Sequence, residues 1–176
     1  MKYFILSQEK NIPNTVKLYV KANSPNEPQT ELLKEDKAKV KQVTMVEVES
    51  SADNFFPSVI EEPVYMISDM VKKVICMYTD EVVWKTAVLL DHGLKQQNIY
   101  WLPLVDKIDC LSEKATFKKD GYIENLIINN EKIGNNKIFR IAGIKEKILV
   151  INLDIVESVL RRFPDGMKIK EIESEV

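Results

Sequence analysis

The sequence predicts an α+β protein built on a mostly antiparallel sheet, with a few helices packed on one face. Three observations predict this class. Apolar and polar residues alternate with period two in short runs, which is typical of strands with one wet face. The last third holds three β-like runs, at 122–128, 137–142 and 147–151, separated by NNEKIGN and GIKE, which predicts an antiparallel meander. Apolar residues three and four apart predict two helices.

The N-terminal part is expected to begin with a strand at residues 3–6. Residues 23–30 carry two prolines and several turn formers and predict a loop, while the charged segment 31–41 favours a solvated helix. Alternation at residues 43–49 predicts the next strand. Its two faces are expected to carry Thr44, Val46 and Val48 on one side and Met45, Glu47 and Glu49 on the other.

The first helix is expected to begin after Ser68, whose hydroxyl is a candidate cap. Lys72 and Lys73 fall on its wet side, whereas Cys76 and Met77 flank its apolar stripe and are expected to be partly buried. The stripe consists of Met70, Val71, Val74, Ile75 and Tyr78.

Two apolar runs follow in the middle of the chain. Residues 82–90 fit either a buried strand or a continuation of the helix, because periodicity does not separate the two. Residues 99–105 are aromatic and β-branched and predict a strand. Pro103 has no N–H to donate, so this strand should lie at an edge or end there.

The second helix begins after Asn152 or Asp154, either of which can cap it. Pro164 and Gly166 end it, and residues 167–172 return as a final strand. The inner face is expected to carry Ile155, Val156, Val159, Leu160 and Phe163, and the last turn Arg161 and Arg162, whose charge suits the negative helix end.

Length, charge and cysteine content narrow the class of protein. The 176 residues suit a single domain over residues 1–176. With 25 basic and 27 acidic residues, we expect no nucleic-acid partner. Two cysteines suit a reduced, intracellular protein. The N-terminus MKYFILSQEKN is too short for a signal peptide, and no apolar run reaches the roughly 18 residues of a membrane helix, which predicts a cytoplasmic protein without a membrane partner.

Reactive side chains are few, and no catalytic constellation is predicted. His92 follows Asp91 in a predicted turn, so a surface role is favoured over a general base. Cys76 is interpreted as a small apolar side chain, and Asp109 disfavours a thiolate at Cys110. With one histidine and no ligand spacing, we expect no metal, no cofactor and no enzyme activity.

Two acidic groups are candidates for binding a protein partner. Glu61 and Glu62 form a loose group with Asp69, and Asp80 forms another with Glu81. Solvated loop charges are the favoured interpretation, and a partner-binding acidic patch is the alternative.

Aromatic side chains form the other candidate group. Trp84 and Trp101 lie in apolar runs, so core packing is favoured, although partly exposed tryptophan also anchors interfaces. Tyr100 and Trp101 should face opposite sides of one strand, so one of them could point outward. Arg140, within IFRIAG, is expected on the wet face of its strand.

Three stretches together resemble a bacterial family. They are PSVIEEPVYMISDMVKKVI (57–75), YWLPLVDKIDCLS (100–112), and IFRIAG with ILVINLDIVESVLRR (138–162). The pattern is similar to immunity protein family 11 of polymorphic toxin systems. It covers residues 46–175, whereas residues 1–45 add little beyond the opening strand. The resemblance implies an α+β fold and a protein that binds and neutralises the toxin domain encoded beside it.

The leading hypothesis is therefore a cytosolic immunity protein that occludes a cognate toxin. The family is marked by a tryptophan, to which Trp84 or Trp101 corresponds, and it brings no catalytic residues. Acidic side chains could mimic the substrate of a nuclease-type toxin and speed capture. The alternative is a non-catalytic interaction or regulatory module with another partner, and an enzyme with an unrecognised site is third. The candidate partner-binding residues are Glu61, Glu62, Asp80, Glu81, Trp84, Tyr100 and Trp101.

Overall fold

The computed structural model describes residues 1–19 and 42–175. The loop expected at 23–30 and the helix expected at 31–41 lie outside these residues. Strands account for 43% and helices for 12%, and most strand pairs are antiparallel. The expected sheet-rich class with few helices is therefore confirmed.

The described chain is divided into many short strands and a few helices. The strands before residue 92 are β1 (Tyr3–Gln8), β2 (Leu18–Tyr19), β3 (Val43–Val48), β4 (Val59–Ile60), β5 (Met66–Ser68) and β6 (Val83–Asp91). The later strands are β7 (Gln96–Leu104), β8 (Lys107–Ile108), β9 (Thr116–Phe117), β10 (Ile123–Asn125), β11 (Ile127–Asn129), β12 (Ile138–Ile141), β13 (Leu149–Asn152), β14 (Met167–Glu171) and β15 (Glu173–Glu175). The helices are α1 (Asp69–Ile75), α2 (Asn130–Ile133) and α3 (Leu153–Leu160), and none of them is long and apolar enough to cross a membrane.

One main sheet, of five strands, joins the two ends of the chain. Its order is β14-β1-β13-β12-β8, antiparallel except for the β12–β8 pair. β12 and β13 pair as expected, but the run at 122–128 divides into β10 and β11, which pair with β9 and β15. The predicted meander is therefore wrong at its first member. Asn129, placed in a turn by the sequence, instead caps α2 by accepting hydrogen bonds from the N–H groups of Glu131 and Lys132.

The other main sheet, of six strands, contains the long hairpin β6–β7. Its order is β2-β3-β6-β7-β5-β4, with β3 and β6 parallel. Residues 82–90, for which a helix was an alternative, enter β6, and every residue of β6 pairs with β7. Pro103 lies one residue before the end of β7, opposite Trp84 and beyond the short pairing with β5. The predicted end of the strand at this proline is confirmed.

The described residues form three apolar core clusters, which the two main sheets separate. The first lies between the sheets and joins the stripes of α1 and α3 to strand residues such as Leu6 and Ile67. The second covers the far face of the six-stranded sheet and includes Val46 and Tyr100. The third covers the far face of the five-stranded sheet and includes Phe139. Both sheets are therefore apolar on two faces over much of their length.

α1 begins after Ser68, as predicted, and ends at Ile75. Ser68 takes the N-cap position without a side-chain cap hydrogen bond. Cys76 and Met77 are exposed, so their predicted partial burial is wrong, whereas Tyr78 of the stripe packs against the first core cluster. Lys72, predicted on the wet side, is half-buried against a tryptophan ring.

α3 is capped by Asn152, whose side-chain oxygen accepts a hydrogen bond from the Ile155 N–H at 3.2 Å. The prediction that Leu160 and Phe163 face inward is wrong, since both are exposed. The helix ends at Leu160, and Phe163 adopts a left-handed φ of 47°, which redirects the chain before its ring can reach the core. The buried stripe consists of Ile155, Val156 and Val159.

Arg140 corrects another expectation, because its side chain is half-buried and not on a wet face. It alternates with Phe139 and Ile141, which belong to the cluster outside the five-stranded sheet. It therefore shares the face of Ile138, which packs between the sheets. There its charge acts on the buried phenol of Tyr65. A strand covered on both faces offers this arginine no wet side.

Candidate functional site

Among residues 1–19 and 42–175, one part of the six-stranded sheet has an apolar surface that no other element covers. β3 and β6 are parallel neighbours, and β7 continues the row, so Met45, Val88 and Ile99 lie side by side. Opposed side chains of neighbouring strands have Cβ atoms about 4.5–5.5 Å apart, which places these three in contact range. We call this surface the open face. It consists of Val43 and Met45 of β3, Trp84 and Val88 of β6, and Ile99 and Trp101 of β7, with Thr86 of β6 lying between Val43 and Trp101.

The open face exposes large apolar side chains in the middle of regular strands. Met45 is 63% exposed and Ile99 is 48% exposed. Val88, Trp84 and Trp101 are half-buried. Scattered apolar residues are ordinary on protein surfaces, but a contiguous apolar group across three strands is typical of an interaction site.

The two tryptophans are held at the border of the open face by the first turns of α1. The Trp101 indole N–H donates a hydrogen bond to Asp69 Oδ1 at 3.0 Å. Lys73 Nζ lies 2.7 Å from the other oxygen of Asp69. The hydrogen bond from Lys73 lowers the pKa of Asp69 below its ordinary value, and the bond from Trp101 acts in the same direction. The carboxylate therefore stays ionised and orients the indole.

Lys72 links the two indole rings. Its Nζ lies 4.0 Å from the Trp101 ring centroid and 6.0 Å from that of Trp84. A cation over an aromatic face is worth about 0.5–1 kcal/mol at exposed sites. Side chains that are ordered before binding avoid an entropy cost of about 0.5–1.5 kcal/mol each. The arrangement therefore presents two tryptophans that are preorganised for a contact.

Tyr100 is the predicted aromatic candidate that does not belong to the open face. It is 3% exposed and lies on the opposite side of the sheet, in the second core cluster. Its hydroxyl donates a hydrogen bond to the Pro57 carbonyl oxygen at 2.7 Å, and burial raises its pKa. Of the pair Tyr100 and Trp101, the tryptophan is the outward member.

The acidic candidates are divided between two places. Glu61 and Glu62 line a separate cavity of about 440 Å³, together with Lys145 and Lys147. Glu61 Oε2 also lies 3.4 Å from Lys10 Nζ, so its charge is balanced locally. Asp80 and Glu81 are exposed in the connection that leads from α1 into β6, three and four residues before Trp84. Of the four acidic candidates, they are the two nearer in sequence to the open face.

The side chains considered for chemistry are also apart from one another. His92 is exposed, with Nε2 at 3.6 Å from Glu47 Oε1. Burial, followed by the charge of Asp109, raises the pKa of Cys110 to about 11, which disfavours its thiolate as predicted. Asp91 accepts a hydrogen bond from the Leu94 N–H at 2.9 Å and holds the β6–β7 turn. Within residues 1–19 and 42–175, no three metal-binding side chains gather in one place.

Sequence reasoning missed Val43, Met45, Val88, Ile99 and Lys72 as members of the site. A signal was present in β3, where Met45 stands among glutamates on the face predicted to be wet. A second was present in β7, where Ile99 and Trp101 occupy one side and buried Tyr100 the other. An apolar residue on the solvent-facing side of a strand was thus the sequence feature that could have predicted the open face.

No protein-family model matches the sequence, and no curated protein is detectably similar to it.

Proposed function

We propose that this protein is a cytosolic immunity protein that binds a cognate toxin domain and blocks it by occlusion, without catalysis and without a cofactor. The open face carries this proposal, because tryptophans in a well-packed apolar patch dominate the energetics of many interfaces. The resemblance to immunity protein family 11 supports the kind of partner. In particular, Trp84 and Trp101 both lie on the open face, whichever of them corresponds to the family's tryptophan.

The proposed interface is centred on the two tryptophans. A stable protein–protein interface buries about 800 Å² on each partner, which exceeds the area of six side chains, so surrounding residues must contribute. Lys72 and Asp69 provide a polar rim on the α1 side, and Glu47 of β3 provides one next to the hairpin turn. In this proposal α1 and α3 pack on one face of the six-stranded sheet and leave the rest of that face for the toxin.

The acidic residues are proposed to act on the rate of association. Asp80 and Glu81 are exposed beside β6, and acidic side chains attract a partner with a basic cleft. Glu61 and Glu62 contribute less, because Glu61 is paired with Lys10. The expectation is a salt-dependent on-rate that falls when Asp80 and Glu81 are neutralised.

The test is co-expression with the toxin domain encoded by the neighbouring gene, followed by co-purification. Met45→Glu and Ile99→Glu place a charge on the open face, and each is expected to weaken binding about 30-fold or more, as hot-spot substitutions do. Both side chains are largely exposed, so the fold should tolerate the change. Phe117→Glu is the matched control, because Phe117 is 44% exposed on β9, outside the six-stranded sheet.

Two outcomes contradict the proposal. Growth rescue without a co-purified complex argues against occlusion. Equal affinity of wild type, Met45→Glu and Ile99→Glu removes the open face from the interface. The absence of a neighbouring toxin gene favours the alternative, an interaction module with another partner.

A further inference from the structure

A second candidate surface lies at the outer edge of the five-stranded sheet. In the described part of the chain, β14 has a strand neighbour, β1, on one side only. The Glu9 N–H donates to the Gly166 carbonyl oxygen at 3.1 Å, and the Ile172 N–H donates to the Tyr3 carbonyl oxygen at 2.9 Å. Antiparallel hydrogen bonds alternate along a strand, so Lys168 and Lys170 also bond to β1. The N–H and C=O groups of Met167, Ile169 and Glu171 therefore face outward.

The two faces of this free edge differ in chemistry. Lys168 and Lys170 are exposed on one face, where they pair across the sheet with Ser7 and Ile5. Among the described residues neither ammonium group forms an ion pair, and the nearby Glu61 is already paired with Lys10. Glu9 lines the same cavity and accepts a hydrogen bond from the Asn11 N–H. One face of the edge therefore carries two lysines that form no ion pair with the described residues.

The other face opens into an apolar groove. Met167 and Ile169 of β14 line it together with Leu160 and Phe163 at the end of α3, and its volume is about 650 Å³. Phe163 is 88% exposed. The groove and the free backbone groups lie along the same strand, so one extended ligand can reach both.

A second copy of this chain is a poor occupant for the edge. Antiparallel pairing of two β14 strands about Ile169 would place Lys168 of one copy opposite Lys170 of the other. Like charges directly opposite each other destabilise a strand pair. Lysines on an edge strand commonly prevent pairing with other sheets for this reason. The same charges attract a strand that carries acidic residues.

We propose that β14 accepts an extended segment of a partner protein by strand addition, and that this segment alternates acidic with apolar residues. Its acidic side chains lie beside Lys168 and Lys170. Its apolar side chains enter the groove lined by Leu160 and Phe163, and its backbone bonds to Met167, Ile169 and Glu171. This inference concerns a different surface from the open face and does not depend on the proposed function.

The probe for this site is a fluorescein-labelled peptide of about six residues, the usual strand length, that alternates glutamate and valine. Titration of the full chain is followed by fluorescence anisotropy. The double variant Lys168→Glu with Lys170→Glu is expected to weaken binding about tenfold, since two exposed charge pairs become repulsive. Lys118→Glu with Lys119→Glu is the matched control, because these exposed lysines lie between β9 and β10, and it should leave binding unchanged.

A second measurement tests strand pairing with the protein unaltered. N-methylation of the peptide amides along one edge should abolish binding, whereas methylation along the other edge should not, because only one edge meets β14. The proposal is overturned if the acidic peptide does not bind, if a lysine–valine peptide binds equally well, or if methylation of the two edges, each tested in turn, leaves binding unchanged in both cases. It is also overturned if both lysine double variants weaken binding equally.

Discussion

Single residues on the open face differ from their sequence neighbours in what they contact. Trp101 lies in an apolar run that favours a core position, and its neighbours Tyr100 and Leu102 do enter the core. Its own indole is half-buried against the first core cluster, and it also reaches Asp69 and lies under Lys72. The side on which Trp101 lies follows from strand alternation, but its partners come from α1. Sequence reasoning therefore found the residue and not the cluster around it.

The lowered pKa of Asp69 leads to a prediction of how the contact between Asp69 and Trp101 responds to acid. The hydrogen bond from Lys73 is the main cause that holds its pKa below the ordinary value of 3.8. Because the pKa is lower in the folded than in the unfolded state, the ionised carboxylate stabilises the fold fully above pH 3.8, and this contribution is lost as the pH falls through the lowered value. We expect tryptophan fluorescence of the native protein to change in that acidic range as the Trp101 hydrogen bond weakens.

Asp69→Asn is the control for this titration. The amide oxygen can still accept the indole hydrogen bond, but it has no charge to lose. The fluorescence of the variant should therefore lack the step below pH 3.8 that wild type shows. An identical step in both proteins would assign the change to another group.

Secondary-structure elements were predictable at their beginnings more than at their ends. Asn152 caps α3 and Ser68 precedes α1, because capping depends on residues within one turn. The end of α3 differs, since the helix stops before Phe163 although the apolar spacing continues. Whether a helix continues depends on what its next turn can pack against. The exposed ring of Phe163 shows that the core offers it no place.

Phe163→Gly tests the cost of this helix end. The left-handed φ of 47° suits glycine and disfavours a side chain. Because the ring is largely exposed, its removal loses little packing, and we expect the free energy of unfolding to rise by about 1 kcal/mol. Urea denaturation monitored by circular dichroism measures this change. The same substitution at Phe117, in the strand β9, should destabilise instead, and loss of stability in Phe163→Gly would contradict the explanation.

At the scale of the whole molecule, the five-stranded sheet depends on pairing between distant parts of the chain. β1 lies between β13 and β14, so the first strand of the chain joins two strands from its last quarter. Leu6 of β1 belongs to the first core cluster, between the two sheets. Tyr3 of β1 belongs to the third cluster, on the far face of the five-stranded sheet. The sequence predicted the strand β1 but not its position between β13 and β14, because local alternation does not show which distant strand will pair with it.

Removal of residues 1–8 should therefore unfold the protein. Loss of β1 leaves β13 and β14 without their shared neighbour and opens two core clusters, so we expect no cooperative thermal transition by circular dichroism. Removal of residues 173–176 is the comparison, because β15 pairs with β11 outside both main sheets. That chain should retain a cooperative transition. A cooperative transition close to that of wild type after loss of β1 would contradict the central role of this strand.

Local features of this protein follow from short stretches of its sequence. They are the strand β3 with its buried Thr44, Val46 and Val48, the starts of α1 and α3, and the end of β7 next to Pro103. Each depends on alternation, capping or a missing N–H group within a few residues. The tertiary structure places Met45, Val88 and Ile99 in one row, and it leaves one side of β14 without a strand neighbour among the described residues. Both depend on register between strands far apart in the chain, which is set by how the two sheets share the core between them.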